Sequence, residues 1–163
     1  MREEDVLLAI RQHVPGCACV NAETGEGLDR SPGAYVLVID PAVPVTFARK
    51  GIAATPLSGW LVYAGSARGG GGIGARLRRH LRQDKKVHWH VDELTNAAAR
   101  ISALAIPGGS ECEIVDRLLA SGLFETALVG FGSSDCRSCD AHLLRPMART
   151  GGLRANAATG YSS

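Results

Sequence analysis

The sequence predicts an α/β domain in which a small, mostly antiparallel central sheet is flanked by helices. Three observations carry that expectation. Gly33 to Ile39, GAYVLVI, is rich in β-branched residues and places Tyr35, Leu37 and Ile39 on one face of a strand. Two further strand-like runs, Val45 to Arg49 and Gly59 to Gly65, follow at short intervals, and short connections suit a meander better than parallel crossovers. Helical stripes then alternate with strand signals: Ile73, Leu77 and Leu81 recur every four residues.

Taken in order, Val6, Leu7, Ala9 and Ile10 predict a short amphipathic helix that stops at Val14-Pro15-Gly16. Cys17 to Pro32 reads as loop. The three strands follow, with Pro41 and Pro44 ending the first. A glycine run leads into a helix from about Ile73 to Gln83, on which Arg76 and His80 lie side by side on a flanking face. Ile101 to Ile106 predicts a strand and Pro107-Gly108-Gly109 a turn. Ser110 starts a helix with Cys112, Val115, Leu118 and Leu119 on its core face, and Ala127 to Phe131 is expected to be a last strand. The expected organisation is an N-terminal helix and loop (1–32), a main domain (33–147) and a flexible tail (148–163) rich in Gly, Ala, Thr, Asn and Ser.

A chain of 163 residues that is 45% apolar can build one core. The acidic start, MREEDVLLAIRQHV, has no secretion signal, no run is long enough to span a bilayer, and the cytoplasm is the expected compartment. Five cysteines, an odd number, point to thiols or a metal site rather than a disulfide framework. The formal charge is only +2, but it is unevenly spread. Glu3, Glu4, Asp5, Glu23, Glu26 and Asp29 dominate the start. Arg68, Arg76, Arg78, Arg79, Arg82, Lys85 and Lys86 crowd one later stretch, with His80, His88 and His90 among them. That stretch suits either an anionic partner, nucleic acid first, or a solvated helix face.

The stretch YAGSARGGGGIGARLRRH (63–80) has two readings. Gly69, Gly71 and Gly74 satisfy G-x-G-x-x-G, a strand precedes them, and Asp92 lies where an acid would meet a ribose. Against a dinucleotide site stand the meander of strands and the many cations around the helix. No Lys-Ser/Thr pair completes an NTPase phosphate loop.

The other reading rests on spaced motifs. Gly33-Ala34-Tyr35, Tyr63-Ala64-Gly65, and Arg76 with His80 one turn later make up one set. GSA at 65–67, KKVHWHVD at 85–92, ECEI at 111–114 and GFGSSDC at 130–136 make up another. Together they resemble the GIY-YIG nuclease superfamily, and within it a branch of small bacterial and archaeal proteins with a cysteine-containing C-terminal motif. The resemblance covers about Gly33 to His142. Both triplets have Ala where Ile is commonest, and the Val45 to Arg49 strand fills a longer interval between the tyrosines than the shortest members have.

The resemblance implies a GIY-YIG-like fold and metal-dependent endonucleolytic cleavage of DNA. Phosphodiester hydrolysis needs an activated water, a cation against the developing charge and help for the leaving oxygen. The resemblance implies Tyr63 or Tyr35 as base, Arg76 against the phosphate, His80 beside them, and Glu111 holding a single Mg²⁺ or Mn²⁺. Nearby cations, Arg76 and His80, are expected to lower the tyrosine pKa. Ser110 and Glu113 fit a capping box, which leaves Glu111 free to enter the site. Each has a plainer reading as a strand aromatic, a phosphate-binding arginine, a packed histidine or a dipole-complementing acid.

Arg68, Arg79, Arg82, Lys85, Lys86, His88 and His90 are the candidate nucleic-acid contacts. The histidines would face one way if HWH is extended, with Trp89 in the core. Cys136, Cys139 and His142, spaced C-x2-C-x2-H, could supply three ligands to zinc with His88, His90 or Cys112 as the fourth; buried small hydrophobes are the alternative. Cys17-Ala18-Cys19 is too closely spaced for paired zinc ligands. Few aromatic platforms for base stacking argue for double-stranded or structured DNA. A binding module of the same fold without hydrolysis, and a nucleotide-binding protein, are the rival functions.

Overall fold

The computed structural model describes residues 1–20, 30–133 and 136–148. The acids at 23, 26 and 29, most of the loop expected over 17–32, Ser134 and Asp135 of the GFGSSDC motif, and the tail from 149 onward lie outside the described residues.

β-Branched residues build the centre. The strand β2 (Gly33–Pro41) alternates between two cores. Tyr35, Leu37 and Ile39 pack on one side with Ile73, Leu77, Val91 and Leu94. Ala34, Val36 and Val38 pack on the other with Val6, Ile10, Ile114, Val115 and Leu118. A strand buried on both faces belongs in mid-sheet, and β2 sits third in a six-stranded sheet of order β1-β6-β2-β5-β8-β7. The other strands are β1 (Ala18–Val20), β5 (Leu61–Ala67), β6 (Ala98–Pro107), β7 (Phe124–Thr126) and β8 (Leu143–Pro146). Every pairing in it is antiparallel. The fold is therefore α/β with an antiparallel central sheet between helical layers. This arrangement disfavours the dinucleotide reading, because β5 before the glycine run and β6 after it are not adjacent parallel strands but are separated by antiparallel β2.

Four helices are present among the described residues. α1 (Glu3–His13) and α4 (Glu111–Ala120) cover one face, and α2 (Gly72–Leu81) and α3 (His90–Asn96) cover the other. The N-terminal segment belongs to the same body, since α1 supplies Val6 and Ile10 to a core and β1 pairs with β6. A separate hairpin, β3 (Val45–Arg49) and β4 (Ile52–Leu57), leaves the sheet between β2 and β5 and returns, rooted by buried Phe47 and Leu57. No helix among the described residues is long and apolar enough to cross a membrane.

Several expected elements differ. The strand expected from Gly59 runs from Leu61, because Gly59 adopts a left-handed turn at φ +69°. The helix expected to reach Gln83 stops at Leu81, where Lys85 Nζ donates to the carbonyls of His80 (3.2 Å) and Arg82 (2.8 Å) and closes its end. Ala127 to Phe131 is not a strand: Gly130 turns at φ +85°, and Phe131 becomes a buried plug. On α4 the core face is Ile114, Val115 and Leu118, while Leu119 is exposed. Ser110 makes no capping bond through its side chain; Glu113 instead pairs with Arg117 one turn on, at 2.9 Å.

Candidate active site

A cleft of about 590 Å³ opens where β2, β5, α2, α4 and the 132–142 segment meet. Tyr35, Tyr63, Arg76 and Glu111, spread over 77 positions of sequence, all line it. Register explains the tyrosines. Tyr35 on β2 lies opposite Gly65, and Tyr63 lies opposite Leu37, so both rings reach the same side with centroids 6.4 Å apart. Gly65 is needed there: a Cβ on it would stand 2.2 Å from Tyr35 Cζ. The last glycine of the second triplet is thus a seat for the tyrosine of the first. Gly72, at φ +61°, begins α2 against the backbone of Arg30 and Ser31, where a Cβ would come within 2.6 Å of it. That close approach sets the angle at which α2 presents Arg76.

His80 is not in the cleft wall but behind it. Its Nε2 and the Tyr35 hydroxyl are 2.8 Å apart, fully buried. Burial pushes the His80 pKa down to about 4 against the pull of Asp92, so its ring is neutral at pH 7. The expectation that cations lower the tyrosine pKa is overturned. Burial dominates for both hydroxyls, with Arg76 opposing it only in part. Tyr63 is pushed up to about 12 and Tyr35 is raised further, partly by Tyr63 itself. His80 contributes no charge to offset this.

Arg76 projects from α2 with its guanidinium carbon 4.5 Å from the Trp89 ring centroid. The aromatic face orients the cation without neutralising it. Trp89, expected in the core, is instead 38% exposed and lines the cleft. Arg79, a candidate nucleic-acid contact, is engaged inward. It also lies over Trp89, at 4.7 Å, and ion-pairs with Asp92. Lys85 is likewise engaged, closing α2 and bonding Asn96 Oδ1 at 3.1 Å. Arg68, Arg82, Lys86 and His88 are exposed. His88 and His90 both line the cleft, although HWH is not a strand: His90 opens α3 and packs edge-on against Phe47 at 5.1 Å.

Glu111 is the first residue of α4. Its Oε2 is buried without a hydrogen-bond partner, one of three such atoms among the described residues; the others are His80 Nδ1 and Asp92 Oδ1. A buried carboxylate oxygen left without a donor suits a hard cation. Beside it, Cys112, Cys136, Cys139 and His142 bring one ligand atom each within 4.8 Å of one another. Cys112 Sγ lies 3.3 Å from Cys136 Sγ and 3.9 Å from His142 Nε2. A tetrahedral zinc site with thiolate ligands has edges of about 3.8 Å. The cluster could hold a metal ion, and Cys112, not His88 or His90, completes it. The backbone N–H of Ser138 and the Cys112 thiol pull the Cys136 pKa down to about 6, whereas burial raises Cys112 and Cys139. All five cysteines are free of disulfides.

A family model described as Domain of unknown function DUF123 matches residues 34–158. The chain belongs to the DUF123 family. No curated protein and no solved structure matches it. In this DUF123 domain the sequence overlooked Arg49 and Arg137, which join Arg76 in lining the cleft, and offered Asp92, which is fully buried behind it, only as a ribose partner. Arg49 sits at the end of β3 and Arg137 between Cys136 and Cys139 of the cluster, in neither case within the basic stretch of 68–86. No local pattern marks them. Asp92 did carry a signal, as an acid three residues after the N-cap of α3.

Proposed function

We propose that the protein is a metal-dependent endonuclease that hydrolyses phosphodiester bonds in DNA, related to the GIY-YIG nucleases through its GAY and YAG triplets. The observation that carries the reading is the unpartnered Oε2 of Glu111, in the same cleft as two tyrosine hydroxyls and an unneutralised arginine. Three arginines against one carboxylate make that cleft favourable for a phosphodiester.

Glu111 would hold Mg²⁺ or Mn²⁺, which supplies Lewis acidity at the scissile phosphate when bound. Arg76, held by Trp89, binds the non-bridging oxygens and meets the charge that grows on them. Tyr35 and Tyr63 keep their protons at neutral pH, so in the resting complex they orient water through hydrogen bonds. Tyr35 can accept a proton from water as its own passes to the neutral His80, which avoids a buried phenolate. Arg68, Arg82 and Lys86 supply exposed charge for the flanking duplex, with exposed His88 beside them. A structural zinc ion on Cys112, Cys136, Cys139 and His142 completes the assignment, with a closed four-ligand shell rather than a catalytic one.

A second reading, a DNA-binding module that does not hydrolyse, is favoured by one observation: both tyrosines are raised in pKa. Incubation with supercoiled plasmid and Mg²⁺ separates the two. The nuclease reading expects nicking that falls by about 100-fold or more in both Tyr63→Phe and Glu111→Ala. Salt-sensitive binding without cleavage under any divalent metal leaves the module. Elemental analysis of untagged protein is expected to find one zinc per chain.

A further inference from the structure

The two remaining unpartnered buried atoms face each other. His80 Nδ1 and Asp92 Oδ1 are 3.9 Å apart, both residues are buried, and among the described residues neither atom has a hydrogen-bond partner. The other side of each residue is fixed. His80 Nε2 meets the Tyr35 hydroxyl at 2.8 Å. Asp92 Oδ2 accepts the backbone N–H groups of His88 (2.8 Å) and Trp89 (3.0 Å) and pairs with Arg79. Burial works against the Asp92 carboxylate, but those two N–H groups and the Arg79 guanidinium outweigh it and hold its pKa below the ordinary value. A carboxylate is therefore fixed beside one nitrogen of a histidine whose other nitrogen holds Tyr35.

We propose that Asp92 is a positioning residue that keeps His80 in the Nδ1–H tautomer and thereby makes Tyr35 donate its hydroxyl hydrogen to His80 Nε2. A neutral imidazole carries one proton, and two placements are open to it. With the proton on Nε2, the Nδ1 lone pair would face a carboxylate in a water-poor interior, and both buried atoms would stay unpaired. With the proton on Nδ1, a shift of about 1 Å brings N–H and carboxylate within hydrogen-bond range. The Nε2 lone pair is then the acceptor for Tyr35. The tyrosine oxygen, with its hydrogen directed inward, offers its lone pairs to the cleft. When Tyr35 takes a proton from water, an O–H bond forms on Tyr35 as its original O–H breaks towards Nε2. His80 becomes imidazolium against Asp92, and the cycle closes when Nε2 returns its proton to Tyr35 as Tyr35 releases its cleft-side proton to the leaving oxygen of the cut strand.

The catalytic consequence rests on the nuclease reading; the tautomer does not, so the test has two arms. Protein labelled with ¹⁵N-histidine is measured by long-range ¹H–¹⁵N correlation, and the His80 signals are assigned by their loss in His80→Gln. Wild-type protein is expected to show a protonated, pyrrole-type Nδ1 and an unprotonated, pyridine-type Nε2. A pyrrole-type Nε2 in wild type overturns the proposal without recourse to any variant. In Asp92→Asn the Nδ1–H bias is expected to be lost; an unchanged tautomer there also overturns it. In the cleavage arm, Asp92→Asn is expected to lower the turnover of saturating plasmid by about 100-fold with DNA affinity unchanged. Equal loss of affinity and turnover would make Asp92 merely structural and sink its positioning role. Absence of cleavage in wild type, with the expected tautomer, refutes the nuclease and leaves the hydrogen-bond assignment standing.

Discussion

Tyr35 is the side chain on which most of the site converges. It is held by Gly65 beneath its ring and by His80 at its hydroxyl. Gly65→Ala puts a methyl into the ring position and is expected to destabilise the fold by about 1–3 kcal/mol, read as a lower urea midpoint. An unchanged midpoint would mean that the ring does not rest there. His80 gives stability a pH dependence of definite sign. Its folded pKa of about 4 lies below that of an unfolded histidine, about 6.5, so the unfolded chain takes up the proton first. Stability is therefore expected to fall as pH drops from about 6.5 to about 4, by up to about 1.4 kcal/mol per unit from this residue. Urea midpoints over that range should slope less in His80→Gln, and parallel slopes would argue against a buried neutral ring. The triplets, Arg76 and His80 were legible because their spacing is local. The raised tyrosine pKa was not, since it depends on how deeply packing from distant segments buries each hydroxyl.

Among the elements, α2 and α3 act as a pair. α2 presents Arg76 outward and Arg79 inward, and Asp92 in the first turn of α3 takes Arg79. Charge on one helix thus divides into structural and surface roles. Arg79→Ala leaves a buried carboxylate without its guanidinium and is expected to cost about 1.5–3 kcal/mol. Arg82→Ala should stay within about 0.5 kcal/mol but reduce the salt slope of DNA binding by about one. Denaturant titration beside binding at several salt concentrations checks both, and equal effects on stability would refute the division. The strand β2 was readable because alternation against two cores writes itself into nine consecutive residues. The helix α3 was missed: it runs for only seven residues, the alternation of His88-Trp89-His90 leading into it mimics a strand, and only Val91, Asp92, Leu94 and Thr95 record its buried side. Similarly, β8 pairs Leu143 with Tyr63, 80 positions away, which no local periodicity reports.

For the molecule as a whole, the proposed metal centre and the cleft share a wall. Cys112 follows Glu111 on α4, while His142 accepts the backbone N–H of Ala64 at 3.0 Å and donates its own to Phe131 at 2.8 Å. A metal across Cys112 and His142 would therefore tie the helix bearing the carboxylate to the strand bearing Tyr63. Removal of zinc by a zinc-selective chelator, with Mg²⁺ kept in excess, is expected to lower the thermal midpoint by about 10 °C and to abolish cleavage in step, both restored by added zinc. A midpoint indifferent to chelator would remove the centre from the architecture. Three of its ligands were visible as C-x2-C-x2-H, whereas the fourth comes from another element and only the fold selects Cys112 over the two histidines.

The β3–β4 hairpin has a different status. It forms no ladder with the central sheet, is rooted by Phe47 and Leu57, and brings Arg49 to the rim of the cleft. Such an appendage can lengthen, shorten or exchange its tip while the tyrosines, Arg76 and Glu111 of the cleft keep their places. On the nuclease reading proposed above, the shape of nucleic acid accepted would therefore be set through this one graftable arm.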